Sequence, residues 1–108
     1  MKVYHKLVRD DIPRIIRESG KECAVSTLGE DEYRAMLDEK LREELNEFLE
    51  SHDPEELADL LEVMRAAARA CGSSIDEVET LRLRKQAQRG ACEKRLCLDA
   101  VWEPGEKA

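Results

Sequence analysis

Two pairs of acidic residues have the spacing in this sequence that is best suited to chemistry. Glu44 and Glu47 stand three residues apart, and so do Glu56 and Asp59 after a break at 51–54. Residues three apart share one face of an α-helix, so two adjacent antiparallel helices would bring the four carboxylates together. Gathered negative charges repel one another, and partial burial increases the penalty. A hard divalent cation with oxygen ligands relieves that repulsion, which points to Mg²⁺.

The first pair lies in a strongly amphipathic segment that predicts a helix over about 31–51. With an advance of about 100° per residue, its apolar side chains form one continuous stripe. The stripe consists of Tyr33, Leu37, Leu41, Leu45, Phe48 and Leu49. Glu44 projects inside the stripe, whereas Glu47 and Glu43 lie progressively further out along one edge. A carboxylate aimed into an apolar surface is a functional candidate, because solvated charges avoid such positions.

The second pair lies in a helix predicted over about 54–71. This helix is expected to bury one apolar set, with Glu56 and Asp59 along its edge. The set consists of Leu57, Leu60, Leu61, Met64, Ala67, Ala68 and Cys71. The connection from Ser51 to Pro54 is short, so the two helices are predicted to form an antiparallel hairpin. The two acidic pairs would then lie at similar heights.

Some of these residues have simpler explanations. Acidic residues make up 25 of 108, so some pairs three apart arise by chance. Glu43 is most simply a solvated helix charge, and Glu62, on the far side of its helix, is assigned to solvent. The sequence Asp53-Pro54-Glu55-Glu56 also reads as a capping box, in which the Glu56 carboxylate would serve the helix N-terminus.

Length and composition predict one folded all-α domain over residues 1–108. Apolar residues make up 42% of the chain and charged residues 40%, and the apolar ones recur with helical period. Apolar stripes this long exceed what one thin bundle hides, so a homodimer or homotetramer is expected. A net charge of −7 argues against broad nucleic-acid binding, which requires a positive surface.

The chain carries no apolar run long enough to span a bilayer, and its first residues lack the apolar core of a signal peptide. No membrane association and a cytoplasmic location are therefore expected. The four cysteines show no zinc-like spacing, and in a reducing compartment they are expected to be buried hydrophobes or free thiols. They are Cys23, Cys71, Cys92 and Cys97.

The remaining segments complete a predicted four-helix bundle around the central hairpin. One helix is predicted to begin near Asp11 and to stop at Gly20, and another to run from residue 75 to Gly90. Alternation in 22–28 and 95–102 allows a minor two-stranded β element. Lys6 and Arg9 precede the first helix, and Lys85 and Arg89 share one face of the last. Solvated charge and helix-dipole stabilisation are the ordinary explanations for these cations.

Taken together, these motifs resemble one known family. Glu43-Glu44-x-x-Glu47 followed by Glu56-x-x-Asp59 is similar to the metal-binding motif of MazG-type all-α nucleoside triphosphate pyrophosphohydrolases. The opening Lys6-Leu7-Val8-Arg9-Asp10-Asp11-Ile12-Pro13 and the closing Arg89-Gly90, then Glu93-Lys94-Arg95, resemble its phosphoribosyl-ATP pyrophosphohydrolase-like, house-cleaning branch. The likeness covers nearly the whole chain.

The resemblance implies Mg²⁺-dependent cleavage between the α and β phosphates, with Mn²⁺ as a substitute metal. Glu44, Glu47, Glu56 and Asp59 would surround the metal, and Glu43 would be an extra ligand or a base that orients water. The triphosphate would be bound by Lys85 and Arg89, with Lys6 and Arg9 as further candidates. Two departures stand out: the loop between the acidic pairs is short, and Gly90-Ala91-Cys92 replaces the branch's usual Gly-Gly-Phe.

Three alternatives to a house-cleaning nucleotide hydrolase remain open from the sequence. The same acidic motif suits phosphoribosyl-ATP cleavage in histidine synthesis. A helical dimerisation module that binds metal or nucleotide without hydrolysis would also carry it. A purely structural bundle is the last alternative. A P-loop mechanism is excluded, because the chain has no Gly-x-x-x-x-Gly-Lys-Ser/Thr sequence.

Overall fold

The computed structural model describes residues 1–107, and within them the protein is all-α. The four helices are α1 (Ile12–Glu18), α2 (Glu30–Ser51), α3 (Pro54–Ala70) and α4 (Ile75–Arg89). The chain divides into two compact units, one from Met1 to Ile75 and one from Asp76 onward. Among the described residues, no helix has the length and apolar character needed to cross a membrane. The all-α class and the four predicted helices are confirmed.

The predicted β element is wrong: residues 1–107 contain no strand, and both 22–28 and 95–102 are irregular. An isolated pair of strands is marginal in water unless one face packs on a hydrophobic surface. The side chains that would form such a face are instead largely exposed, with Val25 at 60% and Leu96 at 86%. The alternation of apolar and polar residues in 22–28 and 95–102 was therefore not enough to form a β-sheet.

The connection between α2 and α3 explains why they form a hairpin. His52 ends α2 in the left-handed conformation, with φ 55°, and its N–H donates to the Phe48 carbonyl. Asp53 then caps α3: its carboxylate accepts a hydrogen bond from the Glu55 N–H at 2.9 Å, and Pro54 occupies the first helical position. A two-residue connection of this kind turns the chain back on itself, so the packed helices α2 and α3 are antiparallel.

The surface of α3 that meets α2 differs from the predicted one. Val63 and Ala68 of α3 and Leu37 of α2 are buried, and Leu60 and Ala67 are half-buried. Ala68, Leu60 and Ala67 belong to the predicted core, whereas Val63 does not. The predicted core residues Leu57, Leu61, Met64 and Cys71 are exposed instead, as are Leu45 and Leu49 of the α2 stripe. The edge of α3 that carries Glu56 and Asp59 thus belongs to the α2–α3 seam. On helical spacing the exposed apolar residues share the opposite edge, here called the leucine face. The leucine face consists of Leu45, Leu49, Leu57, Leu61 and Met64.

The second unit contains the rest of α4 and the segment that follows it. No residue of α4 is buried, and Leu81 and Leu83 are each half exposed. Lys85 and Arg89 are exposed and, being four residues apart, share one face of this helix.

Candidate metal centre

Three carboxylates from the two hairpin helices meet at the α2–α3 seam. One oxygen from each of Glu44, Glu56 and Asp59 lies within 4.8 Å of the others. Glu44 reaches the seam from α2, and the other two reach it from the first two turns of α3. Their convergence follows from the short connection, which sets these parts of the helices side by side. Such a group of hard oxygen donors has the chemistry that Mg²⁺ or Mn²⁺ prefers.

Glu44 is the most unusual member of the group. Its relative exposure is 7%, and among the described residues it is the one charged residue that is buried. Its Oε1 lies 3.4 Å from the Lys40 Nζ, but its buried Oε2 has no hydrogen-bond partner among the described residues. A buried polar atom without a partner costs about 1–3 kcal/mol, and more when it is charged. An ion contacting Oε2 would remove that penalty, so these residues fit a divalent cation.

The pKa of the Glu44 carboxyl is raised above its ordinary value. Burial is the largest cause, since it disfavours the charged form. The neighbouring Glu47 adds to the shift, both because the two carboxyls can share a proton and because their charges repel. Lys40 lowers the pKa and opposes these effects without cancelling them. When both carboxylates are ionised neither can donate, so Oε2 is then left without a partner.

The other two predicted acids lie beside the group of three. Glu47 is half-buried and close enough to Glu44 to perturb its pKa, although it does not belong to the group whose oxygens converge. Glu43 is also half-buried, and its Oε1 lies 3.6 Å from the Lys6 Nζ. Three predicted ligands therefore come together, the fourth flanks them, and Glu43 makes a separate ion pair.

The geometry of the α3 N-terminus bears on the capping-box explanation for Glu56. In a capping box the Glu56 side chain would reach back to the N–H of Asp53. That N–H instead donates to the Ser51 Oγ at 3.1 Å, and the Glu56 carboxylate lies with Glu44 and Asp59. The Asp53 carboxylate caps the helix through the Glu55 N–H and not through the Glu56 N–H that a capping box uses. Neither half of the box is therefore formed, and the Glu56 carboxylate stays available as a ligand.

Lys6 and Arg9 of the N-terminal segment each contact an acidic residue of the hairpin. Arg9 Nη2 donates to Asp59 Oδ1 at 2.7 Å, and Lys6 pairs with Glu43. The segment therefore places one positive charge against α3 and one against α2. Lys85 and Arg89 belong to the second unit, so their role stays a prediction.

Sequence reasoning missed Lys40. Its side chain is only 17% exposed, and its ammonium group is the nearest positive charge to the buried carboxylate of Glu44. The signal was present, because Lys40 precedes Glu44 by four residues and so lies on the same face of α2. A surface hollow of about 650 Å³ lies elsewhere along the hairpin, around Leu37 and Ala70. The converging carboxylates do not line it.

Comparison with known proteins leaves the family open. No family model matches the chain, and no solved structure matches it. A 42-residue stretch is 55% identical to an uncharacterized protein of Mycolicibacterium smegmatis. That match covers 39% of this chain and 43% of the relative's length, and the relative's name carries no activity.

Proposed function

We propose that this protein is a Mg²⁺-dependent nucleoside triphosphate pyrophosphohydrolase of the MazG type, acting on non-standard nucleotides. The observation that carries the proposal is the buried carboxylate of Glu44, which has one oxygen without a partner and one oxygen within 4.8 Å of oxygens of Glu56 and Asp59. A structural bundle gains nothing from a buried charge of this kind, whereas a metal site requires it. The sequence resemblance supplies the reaction class.

In this proposal Glu44, Glu47, Glu56 and Asp59 hold the metal ion, with Mn²⁺ as a substitute. The bound ion supplies charge neutralisation at the phosphate oxygens. Glu43 orients a water molecule towards the α phosphorus and accepts its proton. The bond from the α phosphorus to the bridging oxygen breaks, and the products are a nucleoside monophosphate and pyrophosphate. In-line positioning and charge neutralisation are the main requirements of such a transfer.

Basic residues are the candidates for binding the phosphate chain. Lys85 and Arg89 form a cationic pair on one exposed face of α4, which suits a phosphate chain. Lys6 and Arg9 already lie at the acidic edge of the hairpin. We further propose a cytoplasmic homodimer or homotetramer with a MazG-like bundle. The exposed leucine face supports association, because isolated two-helix hairpins do not hide such a surface.

The test is to incubate the pure protein with a panel of standard and non-standard nucleoside triphosphates and Mg²⁺, and to measure pyrophosphate and monophosphate. The expected result is Mg²⁺-dependent release of both products, lost in Glu44→Gln and Asp59→Asn. The matched control is Glu62→Gln, which removes an exposed acid from α3. Absence of pyrophosphate from every nucleotide would refute the proposal, as would full turnover by both site variants.

Adding phosphoribosyl-ATP to the panel, and measuring nucleotide binding beside product release, separates the alternatives. Preferential turnover of phosphoribosyl-ATP would assign the protein to histidine synthesis. Mg²⁺-dependent nucleotide binding without product would identify a non-catalytic module.

A further inference from the structure

The contact between Arg9 and Asp59 places a fixed cation on a carboxylate of the candidate metal centre. Arg9 Nη2 lies 2.7 Å from Asp59 Oδ1, and the two side chains are 54% and 45% exposed. Asp59 is also one of the three residues whose oxygens converge at the seam. A guanidinium group and a divalent cation are therefore directed at the same carboxylate.

When no other anion is present, the guanidinium group of Arg9 disfavours binding of the divalent cation. The charge of Arg9 repels a dication nearby, and its hydrogen bond occupies an acceptor oxygen of Asp59. The ion pair itself is weak, because exposed pairs contribute only about 0–1 kcal/mol. Arg9 can therefore leave Asp59 at little cost when a stronger anionic partner is available.

A phosphate group is such a partner. The planar guanidinium fork matches two phosphate oxygens, and the bond is assisted by charge. A phosphate that arrives with the metal reverses the effect of Arg9 from repulsion to attraction. Arg14, by contrast, pairs within its own surroundings, with Glu18 at 3.2 Å and Asp11 at 3.7 Å.

We propose that Arg9 couples metal and phosphate occupancy at this site: it opposes a divalent ion that binds alone and favours one that binds together with a diphosphate group. The inference rests on the proposed function and deepens it, since it explains why the site would load the metal–nucleotide complex rather than free metal. Arg9 leaves Asp59 to the ion and binds the phosphate oxygens.

The test compares two affinities in the wild-type protein and in Arg9→Ala. Free Mn²⁺ affinity is measured by electron paramagnetic resonance, and affinity for pyrophosphate is measured by calorimetry at saturating Mg²⁺. Arg9→Ala is expected to bind Mn²⁺ alone about three- to tenfold more tightly, because a nearby positive charge is removed. The same variant is expected to bind pyrophosphate about tenfold more weakly, because a charge-assisted hydrogen bond is lost.

Three further variants make the result specific. Arg14→Ala removes the same charge from the neighbouring helix α1 and is expected to change neither affinity. Arg9→Lys keeps the charge without the fork, so Mn²⁺ affinity is expected to stay at the wild-type value while pyrophosphate affinity recovers only in part. In an Asp59→Asn background, Arg9→Ala is expected to lose its effect on Mn²⁺ affinity, since the shared carboxylate is gone.

The outcomes separate this inference from the proposed function. Weaker Mn²⁺ binding by Arg9→Ala would mean that Arg9 holds Asp59 in place for the metal, and it would overturn the inference alone. Unchanged affinities would do the same. A wild-type protein that binds no divalent ion, either alone or together with pyrophosphate, would instead overturn the proposed function and this inference with it.

Discussion

Replacing Glu44 by glutamine tests whether the buried carboxylate exists for a metal. The substitution keeps the size of the side chain and removes the charge that burial disfavours. Without divalent ions, the variant is therefore expected to be more stable than the wild-type protein. This direction is unusual, because most substitutions of buried residues destabilise.

The magnitude follows from the environment of the two oxygens. Glutamine keeps polar atoms at both positions but removes the extra cost of burying a charge, which is worth about 1–3 kcal/mol, and loss of the charged partner of Lys40 takes part of it back. A net gain of about 1–2 kcal/mol corresponds to a rise of about 5–10 °C in melting temperature for a domain of this size.

Added Mg²⁺ is expected to reverse the order of the two proteins. An ion that binds only the folded state stabilises it by about 2.7 kcal/mol when its concentration is 100 times the dissociation constant. The neutral amide that Glu44→Gln introduces is a poor ligand for a hard cation, so the variant does not match this gain.

The assay is thermal unfolding followed by circular dichroism, at equal protein concentrations, in EDTA and across a Mg²⁺ series. Glu50→Gln is the control, because it removes one negative charge from an exposed position of the same helix. The reasoning is refuted if Glu44→Gln melts at or below the wild-type temperature in EDTA. It is also refuted if Glu50→Gln gives an equal rise, since relief of the overall negative charge would then account for the effect.

Four further predictions follow from the same contacts. Because the pKa of Glu44 is raised in the folded state, the wild-type protein gains stability from this group as pH falls from 7 towards about 4.5. The difference in unfolding free energy between Glu44→Gln and the wild-type protein, measured by urea titration in EDTA, should therefore shrink over that range. Lys40→Met should lower the unfolding free energy in EDTA by about 1.5–3 kcal/mol, and adding Glu44→Gln should restore much of it. Asp53→Ala removes the α3 cap and should cost about 1 kcal/mol in the same measurement, whereas Asp53→Asn should cost little. Leu61→Glu places a charge on the leucine face and should yield monomers in light scattering; an unchanged molar mass would exclude this face as the interface.

The helices were predictable because their ends and their periodicity are local properties. The sequence predicted a helix over 31–51, and α2 spans Glu30–Ser51; the prediction of 54–71 compares with Pro54–Ala70. The Asp53-Pro54 signal fixes the start of α3 independently of its surroundings. The two predicted strands are absent, and the local sequence could not have shown this, because a strand forms only when a second strand and a hydrophobic surface are both present.

The convergence of Glu44, Glu56 and Asp59 was predictable in outline, because spacing and a short turn determine which helix faces lie near each other. The deep burial of Glu44 followed from its projection inside the apolar stripe of α2. The contacts of Arg9 and Lys6 were not predictable, since these residues lie far from their partners in the chain and their segment has no regular structure. Solvated charge was the simplest expectation for both.

The rotation of α3 was predicted wrongly in part, and the error is informative about the site. This helix has two apolar edges, and the richer one, with Leu57, Leu61 and Met64, would normally be buried. If that edge faced α2, Glu56 and Asp59 would move away from Glu44 by the same rotation. The observed rotation instead exposes large apolar side chains and brings carboxylates together, two changes that each disfavour an isolated hairpin. Both become favourable at once if the leucine face is covered by association and the carboxylates hold an ion. One rotation of one helix thus links the candidate interface to the candidate metal centre, so disrupting the leucine face should also weaken Mg²⁺ binding.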